Sequence, residues 1–363
     1  MLSLRSTTRT LDPSSQVISM RHLAHRVSLQ PPISVRCLNE MSLLTGYAIS
    51  IDIDAGLIDI DSGLDHTYVT SNNPCKSWPC WGRGSGGKEI CRGYGKYSLA
   101  DYISQPNSQA GIEYGVTGVC HQTANRILYP ARVIVSKARG YAASSYVYGT
   151  YGTSSFEFIE SSKICESLSC ASKSRVSTES SDSDMRVYSN SIDEPEKAYI
   201  QKVVDLYTEQ MKILPGFNSA TMSEESSPLQ GSKIGSFSST IKNEERYSLL
   251  GKEFELMIEF CLGDNLDPQI TSQVLKQQLV FLKEKGKMDN EFYSVDLNIE
   301  KYVKEVNDLF GDLLISLPDM LGKDEFEKIF GLSPSEKDFV LVDPDIAVKA
   351  HKQISRQSIQ PLT

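Results

Sequence analysis

One short run of residues in this chain combines the side chains needed for covalent chemistry. Residues 115–122 read Gly-Val-Thr-Gly-Val-Cys-His-Gln, so Cys120 stands where a glycine-bearing turn gives way to a helical pattern. The first turn of a helix presents backbone N–H groups that have no intrahelical acceptor, and the helix dipole adds partial positive charge there. Both effects favour the thiolate. The position therefore predicts a lowered pKa for Cys120 and a nucleophile at neutral pH.

The same turn could also bind a developing negative charge. Backbone N–H groups at a helix N-terminus are suitable donors to an oxyanion, and we expect those of Cys120 and His121 to serve, with support from Gln122. Asn125 and Arg126 lie further along the helix, and we expect them to bind nearby carbonyl groups. The alternative is that Cys120 only fills space, because free cysteine is among the most buried residue types.

His66 is the histidine best placed to act as a base. Alternating residues at 49–54, 57–60 and 64–70 predict strands, and His66 lies in the last of these. On an extended strand, His66, Tyr68 and Thr70 share one face, whereas Asp65, Thr67 and Val69 share the other. The unperturbed pKa of histidine, near 6.5, suits proton transfer from a thiol and back to a leaving amine.

A histidine on an early strand, followed after about fifty residues by a cysteine that opens a helix, resembles the circularly permuted papain-like hydrolases. This is the permuted form of the NlpC/P60 superfamily, related to lecithin retinol acyltransferase-like and PPPDE-type enzymes. The resemblance covers at most residues 45–155. It implies an α+β fold in which an antiparallel sheet packs on the nucleophile-bearing helix. It also implies Cys120 as nucleophile, His66 as base, and a peptide, isopeptide or related amide as substrate.

The residue that would orient the imidazole stays open at this point. The resemblance implies a polar residue on the next strand, but residues 71–97 are rich in Gly, Cys and Trp and do not look like strands. Asn72, Asn73, Asn107 and Gln122 are the candidates. After the helix, Val133, Val135 and tyrosines 141, 146, 148 and 151 predict the strands that would complete the sheet.

Two other motifs point to different chemistry. Residues 82–88 match the glycine and lysine spacing of a phosphate-binding loop, but Glu89 follows where Ser or Thr is needed, so we expect a flexible loop beside the site. Cys75, Cys80 and Cys91, with His66 as a fourth ligand, would suit a zinc-binding or protein-interaction module without catalysis. The hydrolase itself needs no metal or cofactor.

Composition divides the chain into parts. Across 363 residues the net charge is −9, and the negative charge lies in the C-terminal part, which argues against nucleic-acid binding. No stretch is long and apolar enough to span a membrane, so we expect a soluble chain. We predict an extension at 1–44, disordered or targeting, a hydrolase domain at 45–155, a Ser-rich linker at 156–194 and a helical domain at 195–350.

The helical domain and the location of the protein are the last expectations. Helical patterns cover 195–214, 244–262, 268–285, 295–317 and 323–330, and a short apolar segment at 339–342 suggests an edge strand. This bundle could bind a protein partner. The chain shows no secretory signal and its cysteines form no paired framework, so we expect a cytoplasmic protein; the alternatives are an organelle or delivery by a signal-independent secretion system. A host-directed effector with the same Cys/His chemistry is a further alternative.

Overall fold

The structure is a computed structural model that combines one antiparallel sheet with a larger set of helices. It describes residues 41–49, 64–72, 75–105, 109–154, 194–213, 243–263, 267–294, 298–336 and 339–359. Within these ranges the chain forms four strands and nine α-helices. The coarse prediction of an α+β fold is confirmed.

The sheet comes from the first part of the chain. Its strands are β1 (Met41–Ile49), β2 (His66–Asn72), β3 (Cys75–Trp78) and β4 (Lys88–Lys96), in the order β3-β2-β1-β4. Neighbouring strands are antiparallel. The prediction that residues 71–97 lack strands is therefore wrong. Glycine residues interrupt the strand pattern of β4. A Cβ at Gly93 would lie 2.8 Å from a Val133 methyl group, so the close packing of β4 against Val133 requires glycine there.

Alternation along the strands decides which side chains face the helices. A Cβ at Gly46 would lie 3.3 Å from the Leu128 side chain, so Gly46 faces the helical side of the sheet. Gly46 is paired with Val69, and Ala48 with Thr67, which places Thr67 on that side as well. The other face carries Tyr47 and Tyr68, whose rings stack with centroids 5.1 Å apart.

Three helices follow the sheet. They are α1 (Tyr97–Ser104), α2 (Cys120–Leu128), which continues into a 3₁₀ turn at Tyr129–Ala131, and α3 (Tyr141–Tyr148). The prediction of strands after α2 is wrong. All eight residues of α3 are buried, and this burial on every side outweighs the preference of Tyr and Val for strands.

Six further helices complete the fold. They are α4 (Glu194–Ile213), α5 (Asn243–Leu262), α6 (Pro268–Ser294), α7 (Ile299–Leu321), α8 (Lys323–Phe330) and α9 (Pro344–Ile359). The five predicted helices match α4 to α8, and α6 runs nine residues further than expected. The segment 339–342 is not a named strand, contrary to the prediction; it leads into α9.

One hydrophobic core extends across both parts of the chain. Tyr146 of α3 packs edge-on against Phe254 of α5, with ring centroids 4.7 Å apart. From α6, the Gln278 amide donates to the Tyr146 carbonyl at 2.8 Å. The division at 156–194 stays a prediction, but the core is continuous on its two sides.

Several expectations lie outside the described residues. These are residues 50–54 of the strand predicted at 49–54, the strand predicted at 57–60, residues 1–40 of the extension predicted at 1–44, and most of the Ser-rich segment. Residues 41–44, the end of the predicted extension, belong to strand β1. Among the described helices, none has the length and hydrophobicity needed to cross a membrane.

Candidate active site around Cys120

Cys120 is the first residue of helix α2, as the sequence predicts. The turn before it is fixed locally: Gly115 has φ +81°, and its N–H donates to the Gly118 carbonyl at 2.8 Å. Gln122 then closes the first helical turn, because its side-chain oxygen accepts the Val119 N–H at 3.0 Å. These bonds hold the cysteine where the sequence predicts it.

The Cys120 sulfur lies against the start of strand β2. It is 3.5 Å from the Asp65 carbonyl oxygen, which can accept the thiol proton. Burial raises the pKa of Cys120, and the N–H groups of Thr67 and His121, together with the Thr67 hydroxyl, offset this only in part. The predicted lowering of the Cys120 pKa is therefore wrong for this state. The residue is 3% exposed, so loss of hydration outweighs the helix N-terminus.

Thr67 is a neighbour of Cys120 that the sequence analysis did not assign. Its side chain is completely buried on the helical side of β2. Its hydroxyl oxygen has no conventional hydrogen-bond partner among the described residues, and it faces the Cys120 thiol. The hydroxyl is therefore available to a thiolate or to an incoming polar group.

His66 lies on the opposite face of the sheet from Cys120. It shares that face with Tyr68, and their rings are parallel within 17° with centroids 6.5 Å apart. Its Nε2 lies 3.0 Å from the Arg83 carbonyl oxygen. No hydrogen bond joins His66 to Cys120 in the described structure. The strand alternation given by the sequence explains this separation, because Thr67 and not His66 points toward α2.

The Cys120 sulfur is nevertheless close to the backbone of His66. The sulfur is 3.5 Å from the Asp65 oxygen. The Asp65 oxygen is roughly 2.3 Å from the backbone nitrogen of His66, so the sulfur lies within about 6 Å of that backbone nitrogen. Burial lowers the pKa of His66, although the carbonyls of Arg83 and Pro79 partly counter this. The imidazole is thus neutral at neutral pH.

His121 plays a structural part through its side chain. The ring binds the Ser144 hydroxyl at 2.8 Å and the Asp65 carbonyl at 3.0 Å. Burial lowers the pKa of His121 to about 3, so the ring is neutral. Because the carbonyl only accepts, Nε2 must carry the proton, and Nδ1 accepts from Ser144. The same Asp65 carbonyl thus contacts both Cys120 and His121.

The remaining polar residues of α2 bind the surrounding main chain. Asn125 donates to the Thr150 carbonyl at 2.9 Å and accepts the Val135 N–H at 2.9 Å. Arg126 donates to the carbonyls of Ala110 and Ser154, each at 2.8 Å, and to that of Tyr151. These contacts agree with the role expected for both residues. Burial lowers the pKa of Arg126 to about 9, which still leaves it charged at neutral pH.

The described side-chain candidates for the third and oxyanion positions are already engaged. The Gln122 amide donates to the Gly149 carbonyl at 2.9 Å and to the Ser144 hydroxyl at 3.3 Å, so it would have to break one of these bonds to donate to an oxyanion. Asn72 accepts the Leu43 N–H at 2.8 Å at the far end of β2. Asn73 and Asn107 lie outside the described residues.

The glycine-rich segment 82–88 forms a loop that ends in a strand. Its Arg83 carbonyl contacts His66, and two further bonds attach the loop to the sheet: the Tyr68 hydroxyl donates to the Gly86 carbonyl at 2.5 Å, and the Ser77 hydroxyl donates to the Gly84 carbonyl at 2.7 Å. A phosphate-binding loop would lead into a helix, whereas β4 begins at Lys88. The position beside His66 agrees with the expectation of a loop near the site.

The predicted zinc site is not formed by the described residues. Cys75 lies on β3 and Cys91 on β4, and two strands separate them. Three strand spacings of about 4.8 Å each give a distance of about 14 Å, far beyond what one zinc ion can bridge. No group of three metal-binding side chains occurs in the described ranges. The zinc module is therefore not supported as an alternative.

Helices α3 and α6 support the loop that leads to Cys120. Lys285 of α6 is buried and donates to the Val116 carbonyl at 2.9 Å, while the Tyr148 hydroxyl donates to the Gly115 carbonyl at 2.6 Å. Asp289 lies 2.8 Å from the Lys285 ammonium and stabilises its charge. Burial nevertheless lowers the pKa of Lys285. The turn before the nucleophile thus depends on residues far away in sequence.

We compared the chain with protein-family models, with curated proteins and with solved structures, and found no match in any of the three.

Proposed function

We propose that this protein is a cysteine-nucleophile hydrolase that acts on a peptide, isopeptide or related amide bond. The observation that carries the proposal is the setting of Cys120. It opens a buried helix, and the N–H groups of Thr67 and His121 face its sulfur together with the Thr67 hydroxyl. Several donors around one thiol form an environment that can stabilise negative charge on sulfur or on a substrate oxygen.

In the proposed reaction, His66 takes the Cys120 thiol proton as the sulfur attacks the carbonyl carbon of the substrate. The carbonyl oxygen becomes an oxyanion, which accepts hydrogen bonds from nearby N–H groups, and the amine leaves with the proton from His66. Water then attacks the thioester while His66 takes a proton from it, the acid is released, and that proton returns to the Cys120 sulfur. Hydrolysis is proposed because water is the default acceptor.

The proposal requires a step before attack. In the resting state the thiol proton faces the Asp65 carbonyl, and burial keeps the thiol protonated. The sulfur must therefore leave Asp65 and move toward the imidazole of His66, whose backbone nitrogen lies within about 6 Å of it but whose ring lies on the opposite face of the sheet. Catalytic hydrogen bonds are often absent before the substrate binds, so this requirement is compatible with the chemistry.

Trapping of the acyl intermediate tests the proposed function. The full chain is incubated with p-nitrophenyl acetate, and the acetylated residue is located by peptide mass spectrometry. We expect a thioester at Cys120 that is absent from Cys120→Ala. The matched control is Cys75→Ala, because Cys75 is an exposed thiol on β3. Acetylation that persists unchanged in Cys120→Ala, or that maps to Cys75 alone, would show that Cys120 is not the nucleophile.

A further inference from the structure

We infer that the main-chain carbonyl of Arg83 orients His66 in the proposed site, holding a proton on Nε2 and leaving Nδ1 as the nitrogen that takes the thiol proton. The inference rests on the proposed function. It replaces the side chain that the sequence left open as the third group with a backbone group of the loop at 79–87.

The hydrogen bond fixes which nitrogen carries the proton. Nε2 of His66 lies 3.0 Å from the Arg83 carbonyl oxygen, and a carbonyl only accepts. Nε2 must therefore be the donor, and in a neutral ring the lone pair stays on Nδ1. The Pro79 carbonyl also faces the ring, and the contact with Arg83 is the one made by Nε2 at 3.0 Å. Orientation of a base through its second nitrogen is the arrangement that catalytic histidines use.

Nδ1 is then the ring nitrogen that has a lone pair, so it is the one that can take the thiol proton. The Cys120 sulfur contacts the main chain on both sides of His66, through the Asp65 carbonyl and the Thr67 N–H, whereas the imidazole lies on the opposite face of the sheet. The proposed proton transfer therefore requires the sulfur to move toward that face.

The loop is built to hold the carbonyl in place. The N–H of Gly82 donates to the Pro79 carbonyl at 3.0 Å, which forms a tight turn just before Arg83. Bonds from Tyr68 to Gly86 and from Ser77 to Gly84 fasten the rest of the loop to the sheet. Gly82 itself lies on the ring: an added Cβ would be 2.7 Å from Nε2. Any side chain at 82 must displace either the ring or the Arg83 carbonyl.

The tautomer can be read directly. Histidine labelled with ¹⁵N distinguishes protonated from unprotonated ring nitrogens, and the spectrum of His66→Gln identifies the signals of His66. We expect Nε2 to be protonated and Nδ1 unprotonated near neutral pH in the wild-type full chain. Arg83→Ala keeps the carbonyl and removes the side chain, so it should give the same spectrum. Protonation at Nδ1 in the wild-type protein would overturn the inference.

The effect on chemistry is measured with Gly82→Ala. Acetylation of Cys120 by p-nitrophenyl acetate should slow by about 10- to 100-fold, since displacement of a catalytic group by about 1 Å can cost about 100-fold. The matched control is Ser85→Ala, an exposed position in the same loop, which should react at the wild-type rate. Acetylation of Gly82→Ala at the wild-type rate would contradict the inference.

The two proposals fail in different ways. If wild-type protein forms no thioester at Cys120, the proposed function is wrong, and the spectrum still decides whether Arg83 fixes the tautomer. If the thioester forms while His66 carries its proton on Nδ1, the hydrolase stands and the role of Arg83 is wrong. If Gly82→Ala does not fold, the spectra of the wild-type protein and of Arg83→Ala decide.

Discussion

Glu253 gives the protein a stability that depends on pH, and the size of this dependence follows from the structure. The carboxylate is buried in α5, where it accepts the Thr150 N–H and the Tyr207 hydroxyl. Burial raises the pKa of Glu253 from 4.5 to about 7, although both hydrogen bonds act to lower it. We predict that the effect of Glu253→Gln on the free energy of unfolding differs between about pH 5 and about pH 8.

The sign comes from proton binding. The folded protein keeps the Glu253 proton up to about pH 7, whereas the unfolded chain releases it near 4.5, so the folded state binds more protons between these values. The free energy of unfolding therefore falls as the pH rises through this window. Above it, the loss from this one group reaches about 3 kcal/mol. A glutamine keeps the acceptor for Thr150 and carries no charge, so it avoids this loss.

Urea unfolding of wild-type protein and Glu253→Gln at about pH 5 and about pH 8 measures the effect. We expect the difference between variant and wild type to shift by about 2 to 3 kcal/mol in favour of the variant at the higher pH. The comparison must be made at each pH, because burial lowers the pKa of His121 to about 3 and this acts in the opposite direction.

The control for the Glu253 prediction is Glu255→Gln. Glu255 is exposed on the same helix, so its replacement removes one charge without changing a buried group. If Glu253→Gln and Glu255→Gln show the same shift between the two pH values, burial of Glu253 is not the cause, and the reasoning fails.

Three further predictions concern the surroundings of the nucleophile. Without substrate, iodoacetamide near neutral pH should modify exposed Cys75 before Cys120, and Cys91 last, because burial raises the pKa of Cys91 to about 12; peptide mapping at timed intervals gives the order. Arg126→Met should lower the free energy of unfolding by at least about 3 kcal/mol in urea titration, since three carbonyls lose their donor. Lys285→Met should speed alkylation of Cys120 by loosening Val116; an unchanged rate would contradict this.

The sequence was sufficient for the elements whose pattern is set locally. Helices α4 to α8 follow from apolar spacing, and the start of α2 follows from the glycine turn before Cys120. Strand β2 begins at His66, within the alternating run that predicts it. In these segments local preference and burial agree, so the pattern and the fold coincide.

Where the environment decides, the sequence was not sufficient. Gly93 and Gly95 interrupt the strand pattern of β4, and close contact with residues 130–133 requires glycine at both positions. The tyrosines of α3 favour a strand in the sequence, but they are buried on all sides of a helix. Both depend on neighbours that are distant in sequence, and no local window contains them.

The site shows the same limit. The alternation of β2 was available in the sequence, and it places Thr67 on one face and His66 on the other, but which face meets α2 is set by the whole sheet. The direction of the Cys120 pKa depends on burial, which a helix N-terminus alone does not reveal. The Asp65 and Arg83 contacts are made by main-chain carbonyls, which every residue has, so the sequence cannot indicate them.

Hydrogen bonds inside the core cross from the later helices to the main chain around α2 and α3. Lys285 donates to the Val116 carbonyl, and Gln278 donates to the Tyr146 carbonyl. Glu253 accepts the Thr150 N–H. Melting of either half would leave these groups without partners in the other. The described parts of the protein should accordingly unfold cooperatively, and calorimetry should record a single endotherm whose van't Hoff and calorimetric enthalpies agree.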